Sequence, residues 1–114
     1  TRKESSAASD VYKRQGQGGE NAQGELQPDF LKQVRQALDN VQTALQGAGA
    51  TLFDVAKLTV LVVDHSQERL AVFSQEIKSR WGIHLAPACT LIPVPRLALD
   101  GMLVEIEATA LLPL

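Results

Sequence analysis

The sequence predicts an α+β domain in which two helices cover one face of a small mixed sheet. Three observations predict it. Two segments carry apolar residues at alternating steps of three and four, the spacing of a single helical face. Three others are short apolar runs, rich in β-branched residues or alternating with polar ones, as strands are. Their order along the chain is strand or loop, helix, strand, helix, strand, strand.

The chain opens on "TRKESSAASDVYKRQ", which is polar, lacks sustained periodicity and begins without methionine. This stretch resembles translated sequencing-adapter DNA. Residues 1–15 are therefore expected to be a non-native or disordered extension, and the domain to run from 16 to 114 with its natural N-terminus replaced. Leu31, Val34, Leu38, Val41, Leu45 and Ala48 form the stripe of the first helix, with Asp29 near its start and Gly47 and Gly49 as stops. Lys32, Arg35 and Asp39 are expected on its solvated face. "KLTVLVVD" is apolar on both faces over its middle and reads as a central strand buried on two sides. Leu70, Phe73, Ile77 and Trp81 form the second helical stripe, ended by Gly82. "ACTLIPV" and "MLVEIEATAL" are the last two strands, joined by "PRLALDG", whose Asp-Gly pair supplies turn chemistry. Pro93 is expected to interrupt the pairing of the first of these. In the last strand Val104, Ile106 and Ala108 should meet the helices, and Leu103, Glu105, Glu107 and Thr109 the other side. Leu61, Leu91 and Leu103 are expected to make that helix-free face partly apolar, and so to press it against another subunit.

Composition narrows the function. At 114 residues the chain fits one domain, and a net charge of −2 offers no basic field for nucleic acid. One cysteine, Cys89, excludes an internal disulfide and a cysteine-rich zinc site. No apolar run is long enough to span a bilayer as a helix, and no signal-peptide pattern is visible. A soluble cytoplasmic domain is the expectation.

The combination of "ALDNV", "DVAKLTVLVVD", "PACTLIPVPRLALDG" and "VEIEATA", at these intervals and after the "GQ" of residues 16 and 17, resembles the RidA/YjgF family of the Rid superfamily. The resemblance covers nearly everything from Gly16 onward. It implies a chorismate-mutase-like fold and a homotrimer with sheets inward, helices outward and ligand clefts between subunits. It also implies hydrolysis of reactive enamines and imines to keto compounds and ammonia without metal or organic cofactor. In deaminating members an arginine after the Pro-Ala pair clamps the substrate carboxylate, and here that position is Cys89. Where the family often has a cysteine two residues on, this chain has Leu91; for its helix asparagine, Val72; for the serine before "GQ", Gln15. Gly16 and Glu105 match the family pattern. The implied site therefore comprises Glu105 as the catalytic carboxylate, with Gly16, Cys89, Thr90 and Leu91 lining an intersubunit cleft.

The residues themselves leave alternatives open. Cys89 lacks a histidine spaced to activate it, so a small buried cysteine is the expected role. Glu105 either orients a water or pairs with a cation at an interface. Glu107 is expected to be structural or paired, His65 to be a loop or helix-cap residue and His84 to be exposed, with no diagnostic metal spacing among them. "GQGGENAQG" lacks the lysine and following helix of a phosphate loop and is a turn. Two functions follow: an enamine/imine deaminase, whose activity is in doubt because the arginine is replaced, and a non-catalytic small-ligand-binding trimer of the same fold.

Overall fold

A computed structural model describes residues 11–112 of the chain, with side chains from residue 16 onward. The elements run β1 (Val11–Gly18), α1 (Phe30–Gly47), a short 3-10 turn (Leu52–Asp54), β2 (Val55–Val63), α2 (Gln67–Trp81), β3 (Ala88–Val94) and β4 (Val104–Leu112). The four strands form one sheet in the order β1-β4-β2-β3. Only β2 and β3 are parallel, joined by α2 as the crossover. The α+β layout of two helices and a small mixed sheet is as the sequence predicts. The domain start expected at residue 16 falls inside β1, whose ladder with β4 begins at the pair Val11 and Leu112.

Each helix starts on a capping side chain, the first on the Asp29 that the sequence offers for it. The Asp29 carboxylate accepts the Lys32 N–H at 3.0 Å, and the Ser66 hydroxyl accepts the Arg69 N–H at 3.1 Å. Gly49 and Gly82 take positive φ just beyond the helix ends, a conformation side chains disfavour. The core lies between the helices and the inner sheet face. It is built from Val34, Leu38, Val41 and Leu45 of α1, Phe73 and Trp81 of α2, and Leu58, Val60, Val62, Val104, Ile106 and Ala108 of the sheet. The expected parity of β4 is observed: Val104, Ile106, Ala108 and Ala110 are buried, and the residues between them are half-buried.

Four expectations change in detail. In α1, Phe30, Gln33 and Ala37 are buried, whereas Leu31 and Ala48 are only half-buried. Lys32, Arg35 and Asp39 are exposed as expected, but Arg35 and Asp39 also reach across to α2. Arg35 Nε donates to Glu76 Oε1 at 3.1 Å, and Arg80 bridges Glu76 at 3.3 Å and Asp39 at 2.7 Å. Pro93 does not interrupt pairing, because the β2–β3 register continues through Val63 and Val94. As an edge strand, β3 turns half of its N–H positions outward, where a proline removes no ladder bond. Finally, β2 is central but buried on only one side in the single chain: Leu61 and Val63 on the other side are half-exposed.

Glu76 is nearly buried and serves two arginines, so the Glu76→Ala variant should lose about 2 kcal/mol of stability, the scale of one to two hydrogen bonds to charged groups. Urea unfolding checks this. A loss below about 0.5 kcal/mol would place the pairs with ordinary surface ion pairs.

Candidate functional site

Sheet pairing assigns each candidate residue to a face, since residues paired across strands share one. Glu105 pairs with Gly18 on one side and Leu61 on the other, and Leu61 pairs with Ile92. The next row runs Gly16, Glu107, Thr59, Thr90. Both rows lie on the helix-free face. Cys89 pairs with Leu58 and Leu91 with Val60, both buried core residues, so Cys89 and Leu91 lie on the helix side.

The structure thus brings Gly16, Thr90 and Glu105 to one face and sets Cys89 and Leu91 on the opposite one. Of the three leucines expected to make the open face apolar, Leu91 packs against the core instead. Its place is taken by Ile92, which is 41% exposed. The parallel register decides this, and one residue of slip would exchange the two sets.

Glu105 is half-buried, and beside it β1 presents glycine. A Cβ added at Gly16 would stand 3.8 Å from Glu105 Oε2, so the missing side chain leaves the carboxylate open on that flank. Among the described side chains Glu105 forms no salt bridge. Such a carboxylate can hold a water or the nitrogen of a ligand.

Cys89 is exposed, not buried as expected, because β3 is an edge strand and α2 does not cover it. Between α2 and β3 runs a groove of about 350 Å³, lined by Leu70, Phe73 and Ile77 on one wall and Cys89 and Leu91 on the other. Although Cys89 is exposed as a residue, partial burial along this groove pushes its thiol up from its ordinary value, so it is protonated at neutral pH and no thiolate nucleophile. Alkylation by iodoacetamide should accordingly reach half its maximal rate at a more alkaline pH than free cysteine. A lower midpoint would mean that an unseen cation activates the thiol.

The other candidates lie apart. His84 stacks on Phe53 with ring centroids 3.9 Å apart, and His65 is half-buried after β2. Among the described residues no three histidine, cysteine or acidic side chains gather as a metal site. Arg96 pairs with Asp100 at 2.9 Å in the exposed loop before β4. Phe73 and Trp81 are core residues, as expected.

One residue that shapes the site escaped sequence reading. Gln33 is fully buried, donating to the carbonyls of Gln27 at 2.7 Å and Gly101 at 2.8 Å and accepting the Leu103 N–H at 2.8 Å. It pins the entry to β4, and hence the position of Glu105, to α1. Its only sequence signal is a polar residue flanking the apolar stripe.

The fold and the open-faced carboxylate define the class: a small α+β domain with a sheet-borne site and no metal cluster among its described residues. Residues 7–112 match the family described as Endoribonuclease L-PSP. The 2-iminobutanoate/2-iminopropanoate deaminase of Escherichia coli K12 is 36% identical over 89 residues, 76% of this chain and 67% of that protein. The crystal structure of YyfB from Yersinia pestis, described as a conserved Rid family protein of unknown function, superposes with a TM-score of 0.86 at 40% identity, covering 91% of this chain and 80% of that one. E. coli TdcF with bound serine superposes at 0.78 with 30% identity, covering 90% and 80%. The chain belongs to the RidA/YjgF family, and its fold is the chorismate-mutase-like one of that family.

Proposed function

We propose that the chain is a cytoplasmic homotrimer that hydrolyses reactive imines or enamines to carbonyl compounds and ammonia at clefts between neighbouring chains. The observation that carries this reading is the Glu105 carboxylate, standing open beside Gly16 on a face whose other groups include Leu61 and Ile92. Half-exposed apolar side chains on a helix-free sheet are groups that a second chain would cover. Cys89 and Leu91 lie on the opposite face from Glu105, so a ligand reaching both sets needs two chains. The deaminase name of the E. coli relative supports the chemistry, and the serine in TdcF supports a small polar ligand.

In the proposed reaction Glu105 takes a proton from water as the water oxygen adds to the imine carbon. As the water oxygen adds, the carboxyl passes that proton to the imine nitrogen to give a carbinolamine. The carbinolamine's hydroxyl proton then moves through the same carboxylate to the nitrogen, ammonia leaves and the carbonyl forms. Water enters, ammonia leaves, and neither metal nor redox partner is consumed.

The test is ammonia release from 2-iminobutanoate generated in situ, together with the mass in solution. Light scattering should give three chains, and Glu105→Ala should lower turnover roughly a hundredfold or more, the usual contribution of a general base. A monomer, or full turnover in Glu105→Ala, counts against the reading. The replacement of the clamp position by Cys89 favours a second reading, a trimer that binds a small ligand without turning it over. Ligand binding with no ammonia release from any imine would select it.

A further inference from the structure

We infer that Glu20 is a second carboxylate of the Glu105 site, and that the site receives cationic nitrogen: protonated imines that carry no carboxylate of their own. The inference names the substrate class of the site proposed above. It rests on that reading for its chemistry, not for its binding.

Three observations carry it. The first is direction. Gly19 is pressed against α1, where an added Cβ would stand 2.7 Å from the Gln33 carbonyl oxygen. Its neighbours Gly18 and Glu20 therefore turn the other way, onto the helix-free face. Asn40 of α1 fixes this arrangement, donating to the Gly18 carbonyl at 3.0 Å and the Glu20 carbonyl at 2.8 Å. The second is place. The Glu20 carboxylate folds back over Gly18, where an added Cβ would collide with Glu20 Oε1 and the Met102 methyl. Gly18 pairs with Glu105, and the Cβ atoms of such pairs stand about 5 Å apart. Glu20 Oε1 thus occupies the position of a side chain beside Glu105. The third is an unmet acceptor. Oε1 is buried and has no hydrogen-bond partner among the described residues. A buried carboxylate oxygen without a donor is costly, and the Met102 methyl offers none.

The surroundings favour a cation as that donor. Glu107 lies in the next row of the same face. Among the described side chains, the cation on these strands is Lys57, which pairs with Thr109 about 13 Å along β2 from Leu61 of the Glu105 row. A protonated imine brings N–H donors and positive charge to Oε1, whereas a carboxylate would be repelled by both acids. With Glu20 holding the nitrogen, Glu105 takes a proton from water as its oxygen adds to the carbon, and a neutral carbinolamine forms. That proton passes to nitrogen, and the hydroxyl proton moves onto Glu105 as the carbonyl forms. Ammonia leaves with the electrons of the C–N bond and takes the last proton. Protonated imine and water become carbonyl compound and ammonium.

Calorimetric titration of the full chain with benzamidinium and with benzoate tests this. The two probes share a ring and a planar head but carry opposite charge, and benzamidinium has the N–H donors of a protonated imine. Benzamidinium should bind wild type at least tenfold more tightly than benzoate. Glu20→Gln, which keeps the size of the side chain, should weaken benzamidinium about tenfold to a hundredfold and leave benzoate unchanged or tighter. Gly18→Ala should do the same by displacing Oε1 while its charge remains in the chain. Equal binding of the two probes, no binding of benzamidinium, or a preference kept in either variant overturns the inference. A lower oligomer mass in Glu20→Gln would also overturn it, because Oε1 would then meet a cation of a neighbouring chain. Preference for benzamidinium without ammonia release from benzaldimine formed in situ would leave the inference standing and overturn the deaminase reading. Ammonia release from 2-iminobutanoate without that preference would do the reverse.

Discussion

Replacing Cys89 with arginine should tighten binding of small carboxylates such as 2-oxobutanoate about tenfold to a hundredfold. The wild-type chain should hydrolyse small imines slowly by comparison with arginine-bearing relatives. A guanidinium presents a planar fork that meets a carboxylate at two points. Hydrogen bonds to charged groups contribute roughly 1.5–3 kcal/mol each, and about 1.4 kcal/mol is tenfold in affinity. The thiol offers neither charge nor a strong donor, and its partial desolvation along the groove pushes it further from ionisation. The structure adds that the substitution fits: Cys89 is exposed on an edge strand, so a long side chain overpacks nothing. Arg96 is no substitute, being held by Asp100 in the loop beyond β3. Lys78 also lines the groove, but a single ammonium is a one-point partner. The measurement is 2-oxobutanoate affinity and ammonia release in both proteins. Wild-type turnover equal to that of an arginine-bearing relative would refute the argument.

Gln33→Leu should cost about 3 kcal/mol, a sizeable share of the 5–15 kcal/mol that stabilises a typical domain. The leucine matches the glutamine in size, so the loss measures hydrogen bonding more than packing. Three backbone groups lose their partner at once: the carbonyls of Gln27 and Gly101 and the N–H of Leu103. Since Leu103 leads directly into β4, the variant should also loosen Glu105 and lower turnover beyond what unfolding explains. Chemical denaturation gives the first quantity, and activity well below the unfolding transition gives the second. A variant as stable as wild type would mean that water replaces the side chain without cost.

Comparing residues shows where each kind of information lay. The alternation along β4 was readable because strand side chains point to opposite faces by geometry, and the buried set Val104, Ile106 and Ala108 follows from it. The helix start at Asp29 is likewise local, since an N-cap bonds within its own first turn. The family motifs, and Glu105 within them, also belong to contiguous sequence.

What depended on pairing between distant segments was not readable. No local rule states that Leu91 lies opposite Val60 in a parallel ladder, and this register alone puts Cys89 and Leu91 behind the sheet and Ile92 and Thr90 in front. The exposure of Cys89 follows from strand order, which leaves β3 at an edge. The buried roles of Gln33 and Glu76 have no local signal, because their partners lie far along the chain or on another helix. By itself, then, the sequence determined the elements, their buried faces and the family. Only the tertiary structure decided which candidate residues share a face, because register and strand order arise from long-range pairing that short-range periodicity does not encode.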